Sequence, residues 1–252
     1  MFIEARIYDM LMNKKFKFSL IELLIVFAIL ATLISLLQPS MQGMLANAGR
    51  IQCMNNQRNL VAAFSVYQSD HEVFPHSDTG KNRDYTGWVG AWNEPKHLKE
   101  GSLWNYILSE ETYLCPADNS TFEHIRSYSI TTIINNYYSM FYRNRTTDFG
   151  IPFFLKPTDS PDPSKTMVFL EENDWRQFNI GSFSPGGWGG WTDRVAGWHS
   201  LGMNHANMDG HVEYVAWQDS FTPDRRTEGG DFRANPDKIY ILDAYSGGLI
   251  KP

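Results

Sequence analysis

The chain has 252 residues, of which 42% are hydrophobic and 14% aromatic, so it can bury the core of one sizeable domain or of two small ones. Its formal net charge is −6, and because the stretch before Phe18 is basic, the rest of the chain is more acidic still. Nucleic-acid binding needs clustered Lys and Arg, and this balance therefore argues against a nucleic-acid partner.

The first predicted element is an apolar segment that runs from Phe18 to Leu37 with a single charge, Glu22, and with no Gly or Pro. A helix of about twenty residues is roughly 30 Å long, which matches the hydrocarbon core of a bilayer. Lysines at positions 14, 15 and 17 precede the segment. By the positive-inside rule we expect one membrane span, with the N-terminus in the cytoplasm and the rest of the chain exported.

Two simpler interpretations fit this segment less well. A cleaved secretory signal has a shorter apolar core followed by small residues, whereas here Gln38-Pro39-Ser40 follows a long one. A plain signal anchor fits the hydropathy but gives no reason for Glu22, since an ionised group in lipid costs a few kcal/mol at the centre and less near the end. The carboxylate predicts a partner, and a side chain that snorkels to the membrane surface is the alternative.

The stretch from Lys14 to Val26, KKFKFSLIELLIV, resembles the prepilin-type cleavage and methylation motif of type IV pilins and type II secretion pseudopilins. The resemblance implies that a prepilin peptidase cuts before Phe18 and that the new amine is methylated. It also implies that Glu22, the fifth residue counted from Phe18, serves filament assembly. The expected setting is the inner membrane, with a periplasmic or otherwise extracytoplasmic head and with other pilin-like subunits as partners.

One residue departs from the family pattern, because Lys17 stands where the family has Gly immediately before the cleavage point. Both a processed subunit and a permanent anchor with an uncleaved leader therefore stay open. We expect residues 1–17 to form the leader. Translation from Met12 would give a typical short one, so residues 1–11 are read as an extension ahead of the true start.

Elementary electrostatics explains why the motif needs both groups. Cleavage would leave a cationic amine at Phe18 inside an apolar environment, one helical turn from the Glu22 carboxylate. In a medium of low dielectric constant such a pair attracts strongly, and leaving one partner alone is costly. The partner amine is expected to be the subunit's own or that of a neighbouring subunit.

The helix is expected to continue to about residue 70. Pro39 lacks an amide hydrogen and is predicted to kink the helix without ending it. Beyond it Leu60, Ala63, Phe64 and Tyr67 form one apolar stripe at helical spacing. We therefore predict a helix over 18–70, its first half in lipid or a filament core and its second half packed on a head of residues 71–252.

The predicted fold class is α+β, pilin-like, with the long helix packed on an antiparallel sheet. Strands are indicated at 127–134, 166–170, 203–208 and 211–217. Asp209-Gly210 between the last two predicts a two-residue type I′ hairpin turn. Further blocks resemble a pilin-like subfamily of planctomycete and lentisphaera-type bacteria: residues 49–60, 73–75, 113–118 and 163–171, and the H-X9-DG block of His199, Asp209 and Gly210.

Candidate metal sites are weak in this sequence. His199, His205, Asp209 and His211 lie close together, but side chains alternate along a strand and the spacing matches no familiar zinc or calcium motif. A structural role of His199 against the hairpin is favoured. The acidic run from Glu171 to Asp174 could hold calcium, although a solvated loop is the commoner explanation, and no cofactor is expected.

Two further features leave alternatives open. The tryptophans Trp188, Trp191 and Trp198 could stack on a sugar or peptide, but packing over a sheet edge is favoured. Cys53 and Cys115 form no CxxC pair, so a zinc ribbon is not indicated. They are either one disulfide, worth about 4 kcal/mol by loop closure, or two separate thiols.

No catalytic motif such as GxSxG, HExxH, a P-loop or GxGxxG is present. The expected function is therefore structural: a membrane-anchored pilin- or pseudopilin-like subunit, not an enzyme. The alternative is a permanently anchored module whose head binds a surface polymer or sugar.

Overall fold

The computed structural model describes residues 19–79, 86–90, 96–120, 125–136, 147, 149–174, 181–224 and 232–250. The chain divides into two compact units, Met1–Leu45 and Ala46–Pro252. The longest element, helix α1 (Leu20–His71), contributes to both. It ends within one residue of the predicted position, and it remains helical through Pro39.

In the first unit the described residues are Ser19 and the start of α1. Every residue from Ser19 to Leu37 is exposed, and the window Leu20–Leu37 has a mean hydropathy of 2.8. This part of the helix is long and apolar enough to cross a membrane. Of the expected localisation, the structure shows one N-terminal helix that could span a membrane.

The second unit contains the remaining helices and a sheet. The helices are α2 (Lys96–Lys99), α3 (Trp104–Ile107) and α4 (Pro236–Ser246), with 3-10 turns at Glu110–Tyr113, Pro157–Asp159 and Thr222–Asp224. The strands are β1 (Tyr128–Thr131), β2 (Met167–Glu171), β3 (Ser182–Phe183), β4 (Gly202–Asn207) and β5 (Val212–Ala216). An apolar helix and a five-stranded sheet make the fold α+β, as the sequence predicts.

The sheet is mixed, not purely antiparallel as expected, and its strand order is β3-β1-β2-β4-β5. Strands β1, β2, β4 and β5 pair antiparallel, whereas β3 pairs parallel to β1. The reason is topological: the chain leaves β2 and joins the sheet again on the far side of β1. A strand of two residues has too few positions for period-2 alternation to mark it in the sequence.

Helix α1 supplies one wall of the core of the second unit. Leu60 and Phe64 of the predicted stripe are buried, and the Phe64 ring stacks on Phe74 at 4.6 Å and meets Phe169 of β2 edge-on at 5.9 Å. All residues of β2 and β4 are buried, so both faces of the sheet centre are covered. The second half of α1 is thus part of the folded unit.

We expect Phe64→Ala to lower the free energy of unfolding of the second unit by about 3–5 kcal/mol, because it removes a ring with 1% exposure from between two others. Urea unfolding of the full chain in detergent, followed by tryptophan fluorescence, measures this loss. Val66→Ala is the matched control, since Val66 lies on the same helix with 49% exposure and should change stability by less than about 0.5 kcal/mol. Equal losses in the two variants would contradict the packing described.

Candidate functional site

The N-terminal end of α1 holds Glu22 in a local hydrogen-bond arrangement. The Ser19 N–H donates to Glu22 Oε2 at 2.8 Å, and the Ile21 N–H donates to Ser19 Oγ at 3.3 Å. Half of a capping box is present, because the Glu22 carboxylate accepts the Ser19 N–H, while Ser19 Oγ accepts the second N–H of the helix and not the third. The pattern Ser-x-x-Glu is visible in the sequence and was not among the expectations. The proposed processing residues Lys17 and Phe18 lie outside the described residues.

A second arrangement is a buried cluster drawn from four separate segments: Cys53 on α1, Cys115 after the first 3-10 turn, Glu171 at the end of β2, and His199 before β4. Cys53 and Cys115 form a disulfide, with their Cα atoms 5.1 Å apart. The pairing that the sequence left open is therefore present in the structure. One metal-ligand atom from each of the four side chains lies within 4.8 Å of all the others.

Glu171 is the centre of this cluster. Its Oε2 accepts the Asn204 N–H at 3.0 Å, and its Oε1 accepts the Asn204 side-chain amide at 2.9 Å and faces His199 Nε2 at 3.1 Å. Glu171 has 0% exposure and His199 has 4%. A buried carboxylate is tolerated only with such a set of donors. The contact with Glu171 therefore constrains the position of the loop before β4, which contains His199.

His199 is held at both its ring and its backbone. Its Nε2 lies 3.4 Å from Cys115 Sγ, while its carbonyl accepts a hydrogen bond of 2.8 Å from Tyr214 Oη on β5. The structural role against the hairpin that the sequence predicted is thus realised in part, because β5 holds the backbone but the ring faces away to Glu171. Ser200 and Leu201 follow with φ of 53° and 58°. Two successive non-glycine residues in the left-handed region indicate local strain, which often accumulates at functional sites.

A small pocket opens beside this strained turn. It has a volume of about 240 Å³ and is lined by Ala46, Asn47, Arg50, His199, Ser200 and Tyr214. The Arg50 guanidinium lies over the Tyr214 ring, 4.8 Å from its centroid. The pocket therefore borders the His199–Ser200 segment, while the His199 side chain itself is buried.

The H-X9-DG residues do not come together. His199 precedes β4 and Asp209 follows it, so the two lie at opposite ends of that strand.

The hairpin turn also differs from the prediction. Asn207 accepts the Gly210 N–H and donates its own N–H to His211, which makes a three-residue loop with Gly210 at φ 97° and no positive φ at Asp209. A type I turn followed by a left-handed glycine has this pattern, and it needs only one residue with positive φ.

The acidic run is divided between two environments. Glu171 joins the cluster above, whereas burial and the charges of Asp193 and Asp174 raise the pKa of Glu172 well above its ordinary value. Burial lowers the pKa of the nearby Arg126 guanidinium, against the attraction of Glu172 and Asp174. Two pairs of the weak metal candidates are in contact among the described residues: Glu171 with His199 at 3.1 Å, and Asp209 with His211 at 2.6 Å.

His205 is a buried residue whose partners were not foreseen. Its Nδ1 faces Asn207 Oδ1 at 3.1 Å, and its Nε2 lies 2.5 Å from Tyr240 Oη on α4 and 3.4 Å from Glu213. A neutral ring that donates from Nδ1 and accepts at Nε2 satisfies both of the nearer contacts. Burial is the main cause that lowers the pKa of His205 to about 4, although Glu213 acts in the opposite direction.

The tryptophan-rich loop packs instead of presenting a stacking platform. Trp191 has 2% exposure, and Trp188 and Trp198 are partly buried against the core. The Lys238 ammonium lies 4.3 Å from the centroid of the Trp191 ring and donates to the carbonyls of Pro185, Gly186 and Gly190. The buried Trp191 ring thus takes the packing role that the sequence favoured.

Burial lowers the pKa of Lys238 to about 7. Three carbonyl acceptors call for the three donors of an ammonium group, and the face of Trp191 also favours a cation. These contacts favour the protonated form and so oppose the effect of burial on the pKa of Lys238. We therefore regard Lys238 as a cation that holds this loop through its three carbonyl groups.

Comparison with models of protein families, with curated proteins and with solved structures finds no match to this chain. The functional argument therefore depends on the residues and contacts described above.

We expect acidification from pH 6.5 to 4 to destabilise the second unit through His205. The unfolded chain takes up a proton near the ordinary histidine pKa of 6.5, whereas the folded chain does so only near pH 4. The shift corresponds to at most about 3 kcal/mol, present in full above pH 6.5 and lost as the pH falls to 4.

Urea unfolding at a series of pH values tests this, with His205→Gln predicted to remove that part of the pH dependence. The control is His71→Gln, which changes an exposed histidine at the end of α1 and should leave the contribution of His205 to the pH dependence intact. An unchanged slope in His205→Gln would contradict the assignment.

Proposed function

We propose that this chain is a membrane-anchored, structural pilin- or pseudopilin-like subunit that assembles through its N-terminal helix. The observation that carries the proposal is the window Leu20–Leu37, in which every residue is exposed, the mean hydropathy is 2.8 and Glu22 is the single charge. An apolar surface of this length has no stable place in water. Lipid, or the equivalent helices of other subunits, would cover it.

The position of Glu22 supports a subunit over a plain anchor. The carboxylate lies in the first turn of α1, where it accepts the Ser19 N–H and where the helix dipole favours negative charge. One such bond leaves other carboxylate lone pairs for a further donor. An amine created by cleavage before Phe18 would be such a donor, and in a filament it would come from the same or a neighbouring subunit.

The proposed partners are the membrane, a prepilin peptidase and other pilin-like subunits of a type II secretion or type IV pilus-like filament. The proposed setting is the inner membrane, with the N-terminus in the cytoplasm and the second unit outside it. We propose no catalytic activity. The buried Trp191 gives no support to the alternative of a polymer-binding head in which this ring stacks on a ligand.

The N-terminal residue of the protein isolated from its native membrane tests the processing step. We expect a chain that begins with a methylated Phe18, identified by N-terminal sequencing and intact mass. Substitution of Lys17 by Gly should give the same terminus and serves as the control for cleavage. A terminus at Met12 or Met1 in the unsubstituted chain would contradict the proposal and favour a permanent anchor.

The charge of Glu22 is tested by comparing two substitutions. We expect Glu22→Ala and Glu22→Gln both to abolish assembly, measured by cross-linking in membranes and by filament recovery. The amide of Gln retains an acceptor for the Ser19 N–H and loses only the charge, so normal assembly of Glu22→Gln would mean that Glu22 is merely a helix cap.

Thr32→Ala is the matched control within the same segment. The Thr32 hydroxyl donates to the Ile29 carbonyl of its own helix, so its loss should leave assembly unchanged. Tryptophan fluorescence of the second unit should be the same in all of these variants, because none of the substituted residues belongs to that unit.

A further inference from the structure

The buried cluster of Cys53, Cys115, Glu171 and His199 belongs to the second unit, and the proposed assembly through Leu20–Leu37 does not use it. Two sulfur atoms, one imidazole nitrogen and one carboxylate oxygen all lie within 4.8 Å of one another, with every residue buried. Zinc sites are made of four such ligands, in tetrahedral arrangement. In the disulfide, the sulfur atoms of Cys53 and Cys115 are bonded to each other and cannot bind a metal as thiolates.

Two of the distances within the cluster are close to the edges of a zinc tetrahedron. Zinc lies about 2.3 Å from sulfur and about 2.0–2.1 Å from nitrogen or oxygen, so the edges of the tetrahedron are roughly 3.6 Å for sulfur to nitrogen and 3.3 Å for nitrogen to oxygen. In the structure His199 Nε2 lies 3.4 Å from Cys115 Sγ and 3.1 Å from Glu171 Oε1. The other distances between ligand atoms are at most 4.8 Å, and the two sulfur atoms must move apart once they are no longer bonded.

The outer partners of a metal site are also present. Glu171 Oε2 is held by the Asn204 N–H at 3.0 Å, which leaves Oε1 directed at His199. The Asn204 carbonyl in turn accepts a hydrogen bond of 2.8 Å from the buried Gln57 side chain on α1. Tyr214 fixes the backbone of His199. Groups of this kind orient metal ligands, and losing one typically costs 10- to 100-fold in affinity.

The pocket beside the Ser200 turn is the opening nearest to His199 among those described, because His199 is one of its lining residues. The charge is also compatible with burial. If Glu171 is ionised and His199 is neutral, the cluster with its disulfide has a net charge of −1. Zinc bound to two thiolates, the same carboxylate and the same neutral histidine gives −1 again, so the exchange adds no net charge to a buried site.

We propose that reduction of the Cys53–Cys115 disulfide converts this cluster into a zinc site with Cys53, Cys115, His199 and Glu171 as its four ligands. A dithiol reductant supplies two electrons and two protons, giving two protein thiols and the oxidised reductant as a cyclic disulfide. Zinc then displaces the two thiol protons and takes the Nε2 lone pair of His199, whose proton moves to Nδ1. Disulfide and zinc are mutually exclusive states of one site, independent of filament assembly.

The test uses the full chain in detergent, oxidised or reduced under anaerobic conditions, with Co²⁺ as a spectroscopic probe and Zn²⁺ as competitor. The reduced chain is expected to bind one Co²⁺, with a thiolate-to-cobalt charge-transfer band and the intense visible bands of tetrahedral cobalt, and to release it to Zn²⁺. The oxidised chain is expected to bind none. Absence of these bands in the reduced chain overturns the proposal.

Substitutions separate a folded site from two cysteines in an unfolded chain. His199→Gln is expected to weaken Co²⁺ binding by more than the roughly 10- to 100-fold of an outer partner, and Asn204→Ala by about that amount. His211→Gln, a half-exposed histidine outside the cluster, should bind as the unsubstituted chain does.

Near-ultraviolet circular dichroism of each variant reports on the fold in the same samples. Binding that is indifferent to His199→Gln would overturn the proposal. The same holds if the reduced chain loses its near-ultraviolet signal and Co²⁺ does not restore it.

Discussion

Glu171 ends the central strand of the sheet with no contact with water, and the surrounding loops follow from that fact. A carboxylate can be buried only if donors converge on it. Asn204 supplies two of these donors, and His199 supplies the third. To bring His199 into reach, the chain before β4 takes two successive residues through the left-handed region. Tyr214 on β5 secures that loop, and Gln57 on α1 donates to the backbone carbonyl of Asn204 in β4, so the contacts around one buried charge involve three elements.

Helix α1 presents two different kinds of surface along its length. Its first part exposes leucine, isoleucine and phenylalanine on all sides, which suits lipid or other apolar helices. In the second unit the same helix buries one stripe, with Phe64 between two other rings. The helix is continuous across this change, because its backbone hydrogen bonds do not depend on what the side chains face. The change from an all-apolar surface to a single apolar stripe is visible directly in the sequence.

Local patterns predicted the elements of this protein better than its contacts. The length of α1 and four of the strands could be predicted because periodicity lies within each segment. The parallel edge strand could not, since two residues have no period. The turn at Asp209-Gly210 was assigned the wrong type, because the dipeptide is compatible with both a two-residue and a three-residue loop. The hydrogen bond from the Ser19 N–H to Glu22 follows from a local Ser-x-x-Glu pattern and was predictable from the sequence.

The candidate site was predictable only in part, for a physical reason. Cys53, Cys115, Glu171 and His199 come from four distant segments, and no spacing rule links residues that meet only through tertiary packing. The same holds for His205 with Tyr240 and for Lys238 with the tryptophan loop. Each is a buried polar group whose partners are far away in sequence.

The disulfide also has a mechanical consequence. Cys53 and Cys115 are 62 residues apart in sequence, and their bond joins α1 covalently to the segment that follows the first 3-10 turn. A pull applied between the N-terminal end of α1 and the C-terminal end of the chain would pass through the sulfur atoms and bypass the residues between them. The part of α1 that contains Phe64 lies inside that closed loop, so tension along the chain could not peel it from the sheet. Reduction would return that load to the noncovalent packing of the core.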